Sequence, residues 1–148
     1  MIFSLSNILS PRSCEPFPFL KTLNVIQSLV QINSGESVSS VDRIKDSAAA
    51  AMQTHVPLSQ FKLHFVASDF YNGHPECQFT THHYVSQLTQ DLKQCLIFDS
   101  DQSDARLIGI EYVVSSTLFS QLPDEEKLLW HSHAFEAKNG LITAPGTP

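Results

Sequence analysis

The chain is poor in the features that usually announce a function. Its three cysteines, Cys14, Cys77 and Cys95, are an odd number without a CxxC pair, which argues against a disulfide framework and for a reducing, cytoplasmic interior. Positive charge is scarce. Nine Lys and Arg stand against fifteen Asp and Glu, and no basic cluster is present to neutralise phosphates, so nucleic acid and anionic membrane surfaces are poor partners. No apolar run approaches the roughly 18 residues of a membrane-spanning helix. The N-terminal apolar patch has no basic residue before it and soon meets Pro11, Pro16 and Pro18, which makes it a poor secretory signal. There is no GxSxG nucleophile elbow and no glycine-rich loop of the GxGxxG or GxxxxGKS/T kind to hold phosphates. What is present is 42% hydrophobic against 16% charged residues in 148 positions, which excludes global disorder and suits one core of ordinary size.

Three prolines between Pro11 and Pro18 forbid regular helix there, so residues 1–18 read as a flexible tail ahead of a single domain over 19–148. Phe19, Leu20, Leu23, Ile26, Leu29, Val30 and Ile32 recur near helical spacing and predict a helix over about 19–33, broken at Gly35. A second helix is predicted over 41–55, with Ser39 or Ser40 as N-cap, Asp42 in the first turn, Ala48–Ala51 within and Pro57 as its stop. Its narrow stripe of Val41, Ile44, Ala48, Ala51 and Met52 suits a helix lying on a sheet. From Phe61 the period becomes two: Phe61, Leu63, Phe65 and Ala67 alternate with Lys62, His64, Val66 and Ser68, the pattern of a half-buried strand. Asn72-Gly73 and Pro75 predict a turn over 70–77, followed by strands near 79–89 and 92–99. Residues 105–115 form the clearest strand. Leu107, Ile108, Gly109 and Ile110 suggest burial on both its faces, and Glu111 needs a partner if it lies inside. Helix returns at Pro123 with Asp124, Glu125 and Glu126 near the positive end of the dipole, and residues 131–137 can form a strand.

Histidine is the one clustered chemistry. Seven are present, and His131 and His133 would share a face of an extended segment, presenting both rings to one ion. His82 and His83 point to opposite faces, so at most one joins them, and Glu111 or Glu136 would add a carboxylate. His83, Glu111, His131 and His133 are therefore the candidate metal ligands. The plainer alternative has these rings capping carbonyls at a helix end and a strand start. The run Asp99 to Asp104 imitates a calcium loop but has Asp104 where glycine is required and Ile110 where a bidentate Glu is required, so it reads as a polar connection. Cys95, within an apolar strand, reads as a small hydrophobe, with a dyad to His82, His83 or His133 as the alternative.

Residues 82–142 closely resemble the oil body-associated protein family, a family catalogued as a domain of unknown function. The landmarks are His82-His83-Tyr84, Gln94 to Ser100, Ala105 to Tyr112, Leu122-Pro123, Glu125-Glu126-Lys127, and Trp130 to His133 with Glu136, Lys138 and Gly140. A looser likeness reaches back through Phe61–Asp69 to Gln53 and Pro57. The resemblance implies a non-enzymatic protein of seed oil bodies, affecting droplet size or stability, whose partner is the droplet surface or a droplet protein. It also implies that members continue past Pro148, so the chain is expected to be incomplete at its C-terminus. The expected fold is α+β: a mostly antiparallel sheet from Phe61 onward, covered by helices near 19–33, 41–55 and 123–131. Phe19–Asn33 is the candidate droplet contact, with a core helix as the alternative. The rival function is a metal-dependent enzyme, a hydrolase for example, in which a divalent ion held by the histidine cluster would be the only cofactor.

Overall fold

The computed structural model describes residues 2–8, 36–71 and 74–146. Seven strands make one sheet: β1 (Ile2–Ile8), β2 (Leu63–Tyr71), β3 (His74–Gln87), β4 (Leu92–Phe98), β5 (Leu107–Ser115), β6 (His131–Ser132) and β7 (Ile142–Thr143), in the order β6-β1-β5-β4-β3-β2-β7. Every pairing is antiparallel, and β2 to β5 are joined as sequential neighbours while β1, β6 and β7 add from elsewhere in the chain. Among the described residues the helices are α1 (Ser40–Met52), α2 (Ser116–Ser120), α3 (Asp124–Lys127) and α4 (Ala134–Lys138), with a 3-10 turn at Leu58–Gln60.

The meander β2–β5 follows from alternation. Directly opposed residues share a sheet face, and one level of the sheet runs Leu63, Val85, Cys95 and Glu111. The next runs Phe65, His83, Ile97 and Gly109. This inner face holds the core, Val85, Cys95, Ile97 and Ile108, with Phe65 and Phe79 packed against it. Ile108 joins it because a bulge at Ile97/Phe98 shifts the register there. The outer face carries the row His64, Tyr84, Leu96 and Ile110.

The two edges of the sheet are close in sequence. Laid flat, seven strands about 4.8 Å apart would put β6 and β7 about 29 Å from each other. The link from Ser132 to Ile142 contains α4, at about 1.5 Å per residue, and can stretch only to about 25 Å. It is further shortened where the Leu141 amide donates to the Glu136 carbonyl at 2.9 Å. The sheet must therefore curl, and residues 131–143 cross it as a strap. The Ser68 amide, donating to the Leu141 carbonyl at 3.0 Å, ties the far end down.

Several expectations are corrected. Ile2–Ile8, read as the start of a tail, is a strand paired along its whole length with β5. The rest of that tail and the predicted helix over 19–33 lie outside the described residues. The second helix spans Ser40–Met52 under a Ser39 cap, but it stops at Gln53 and buries none of its residues. With Ile44 70% and Met52 85% exposed, its stripe does not lie on the sheet. His74–Cys77, expected in a turn, belong to β3, because Tyr71 pairs with His74 while Phe70 pairs with Gln78, leaving Pro75 in a bulge where no ladder donor is required. β5 is not buried on both faces: Leu107 and Ile110 are 48% and 52% exposed, while Ile108 and Glu111 face in. The predicted strand over 131–137 is a strand only at His131–Ser132, and helix α4 follows.

Candidate functional site

Inside the apolar inner face sits a polar cluster centred on Glu111, which is 3% exposed. A lone carboxylate there would be costly, and two imidazoles compensate it. The Glu111 Oε1 lies 3.1 Å from His133 Nε2, and its Oε2 lies 3.3 Å from His83 Nδ1. The other His83 nitrogen is held as well: Nε2 is 2.8 Å from Thr81 Oγ1 and 3.3 Å from Asp69 Oδ2, and the Thr81 hydroxyl donates to Asp69. Cys95 Sγ lies 3.6 Å from His83 Nδ1. With acceptors against both ring nitrogens, His83 is best satisfied as a doubly protonated imidazolium.

The strand register explains the assembly. Glu111 on β5 faces Cys95 on β4, and His83 on β3 stands one level away on the same face. Asp69 and Thr81 continue that face toward the end of the β2–β3 hairpin. His133 comes from the strap, as the residue that precedes α4. Its ring stacks on that of His131 with centroids 5.1 Å apart. The two rings meet through this turn and not through a continuous strand.

Electrostatics follow the geometry. Burial disfavours a charge on His83, but its bonds to Asp69, Cys95 and Glu111 outweigh this and push it up to about 11. Burial likewise raises Glu111, and the hydrogen bonds from His133 and His83 overcome it, holding the carboxyl well below the usual range. His133 is moved up because the Glu111 bond outweighs burial, whereas His131 is moved down by burial and by the charge of His133. Burial pushes the Cys95 thiol up, which suits a packed group and not a nucleophile.

All four sequence candidates, His83, Glu111, His131 and His133, are thus drawn around one carboxylate. Donor atoms of Glu111, His131 and His133 lie within 4.8 Å of one another, and so do those of His83, Cys95 and Glu111. His82 faces the other way, its Nδ1 3.1 Å from His64 Nε2. Both His82 and His83 lie well inside β3, not at a strand start. Two members escaped the sequence reading, Asp69 and Thr81, while Cys95 meets His83, one of the three histidines considered for it. The signal for Asp69 was available, since the inward parity of Phe65 and Ala67 reaches it two residues on. The Asp99 loop is a local connection, Asp99 accepting from the Arg106 amide at 2.8 Å and from its Nε at 2.7 Å.

Sheet and cluster together define an α+β protein with an antiparallel, curled sheet, a buried histidine–carboxylate hub and a strap across it. The family described as "Protein of unknown function (DUF1264)" matches residues 55–148, which include every hub residue, and the chain belongs to that family. It is 50% identical over 111 residues to oil body-associated protein 2A of Zea mays, a match covering 75% of this chain and 44% of that relative. It is 45% identical over 114 residues to oil body-associated protein 1B of Arabidopsis thaliana, covering 77% and 47% respectively. Oil body-associated protein 1A of Zea mays is 43% identical, with 77% and 48% covered. The resemblance read from residues 82–142 is borne out. The chain spans about half the length of these relatives. No solved structure matches it. Among the described residues no helix is long and apolar enough to cross a membrane.

Proposed function

We propose that this chain is a non-enzymatic protein of the lipid droplet surface, reaching the droplet from the cytoplasm and influencing droplet size or stability. The observation that carries the reading is the outer face of the sheet. Leu107, Ile110 and Tyr112 are 48%, 52% and 43% exposed, and half-buried Tyr84, Leu96 and Phe98 adjoin them across β3 and β4. Contiguous exposed apolar side chains of this kind mark a binding surface. A groove of about 360 Å³ opens on the same face, floored by Tyr84, Leu96 and Phe98 and walled by Leu58, Phe61 and the 100–105 loop. The names of the relatives, oil body-associated proteins, support a lipid-coated apolar phase as what this face meets.

The chain's charge of -6 disfavours attraction to anionic headgroups, so the contact is apolar in origin. Phe19–Asn33 remains a second candidate contact by its helical spacing. The test is flotation of the tagged full chain with droplets of triacylglycerol coated by zwitterionic phospholipid. Association is expected, with little sensitivity to salt. Full-chain variants L23D/I26D and I110D/Y112D locate the contact, and failure of the unmodified chain to float removes the proposal.

A further inference from the structure

We propose that Glu111, His131 and His133 form a three-ligand binding site, its fourth position left to water, for one first-row divalent cation of the Zn²⁺ type, which clips the 131–143 strap to β5. Nothing in this rests on droplet association. The first observation is the convergence of one carboxylate oxygen and two imidazole nitrogens within 4.8 Å. Around a tetrahedral zinc with bonds of about 2.0–2.2 Å, neighbouring donors stand about 3.4 Å apart. The Glu111 Oε1 and His133 Nε2 already stand 3.1 Å apart. Small side-chain rotations would close the remainder.

The second observation is independent. Glu136 Oε2 is buried and has no hydrogen-bond partner among the described residues. A buried carboxylate oxygen without a partner calls for an explanation, and a bound ion is one. Glu136 lies three residues after His133 on the strap but outside the 4.8 Å cluster, so it belongs to the surroundings of the ion and not to its ligands. His131, His133 and Glu136 all lie on the strap, so the ion would join strap to sheet through Glu111.

The ligand chemistry selects the ion. Two imidazoles with one carboxylate suit Zn²⁺, Co²⁺ or Ni²⁺ better than Ca²⁺ or Mg²⁺, which prefer all-oxygen shells. The alternative triad of His83, Cys95 and Glu111 is less suitable, because both His83 nitrogens already face acceptors. In this arrangement His83 holds the Glu111 carboxylate in orientation, the part an outer-shell donor plays at metal sites. His131, being exposed, provides the entry path that a fully buried triad lacks.

The test uses tag-free full chain, stripped with a chelator and equilibrated with Zn²⁺ alone at neutral pH. About one equivalent per chain is expected after removal of free metal, and Zn²⁺ is expected to raise the thermal midpoint. H131A and H133A should each weaken binding by about tenfold or more, and E136Q by less. In the unmodified chain the ring signals of His131 and His133 should shift on adding Zn²⁺ while those of His55 stay; this reading needs no variant to fold. Less than about a tenth of an equivalent bound, or unshifted His131 and His133 signals, overturns the proposal.

Discussion

Glu111 joins two parts of the molecule, because it is the shared acceptor for imidazoles from β3 and from the strap. Glu111→Ala in metal-free protein would leave His83 and His133 facing each other's charge in a buried space. A loss of about 3–5 kcal/mol in unfolding free energy is expected from urea titration, the scale seen when one partner of a buried ionic pair is removed. The same residues set the pH dependence. His83 has a folded value of about 11 against an ordinary 6.5, so its contribution is complete below 6.5 and declines as pH rises toward 11. Glu111 is depressed below its ordinary 4.5, so its contribution is present above 4.5 and is lost as pH falls. Metal-free protein should therefore be most stable between about 4.5 and 6.5 from these two groups and weaken through the alkaline range. H83Q should flatten the alkaline slope in a series of thermal melts, and an unchanged slope would assign the dependence elsewhere.

Among the elements, α1 is the one that local chemistry explains almost completely and tertiary packing scarcely at all. The Ser39 hydroxyl accepts from the Asp42 amide at 3.1 Å, Lys45 pairs with Asp42 at 2.9 Å, and four consecutive alanines supply propensity. None of its residues is buried. A48P is therefore expected to remove helical signal in circular dichroism while moving the main unfolding midpoint by less than about 2 °C, since no core contact is lost. A drop of more than about 5 °C would mean that α1 docks on the sheet. Its start and character were legible in the sequence for that local reason, as were β2 from its alternation, β4 from its composition and β5 from its apolar run, although that run suggested burial on both faces. β1 was not, because seven residues of mixed pattern next to three prolines become a strand only when β5 offers its edge. The opposed orientations of His82 and His83 were legible from parity alone. That His83 meets Glu111 was not, because parity assigns a face but not the level at which β3, β4 and β5 align. The helical turn at His133 was hidden by the same ambiguity of a short His-Ser-His run.

At the scale of the whole molecule the sheet has two chemically different faces. The inner one packs aliphatic residues around a charged hub beneath the strap, and the outer one leaves Leu107, Ile110 and Tyr112 open to whatever the protein meets. This division separates stability from association: changes at Glu111 should act on folding, and changes at Ile110 and Tyr112 on binding. The most direct measurement is droplet flotation of I110D/Y112D beside the unmodified chain, with thermal melts of both. The variant should stay in the aqueous fraction with its midpoint essentially unchanged, since both side chains are about half exposed already. Flotation of the variant to the same extent as the unmodified chain would contradict the assignment of the outer face to the droplet.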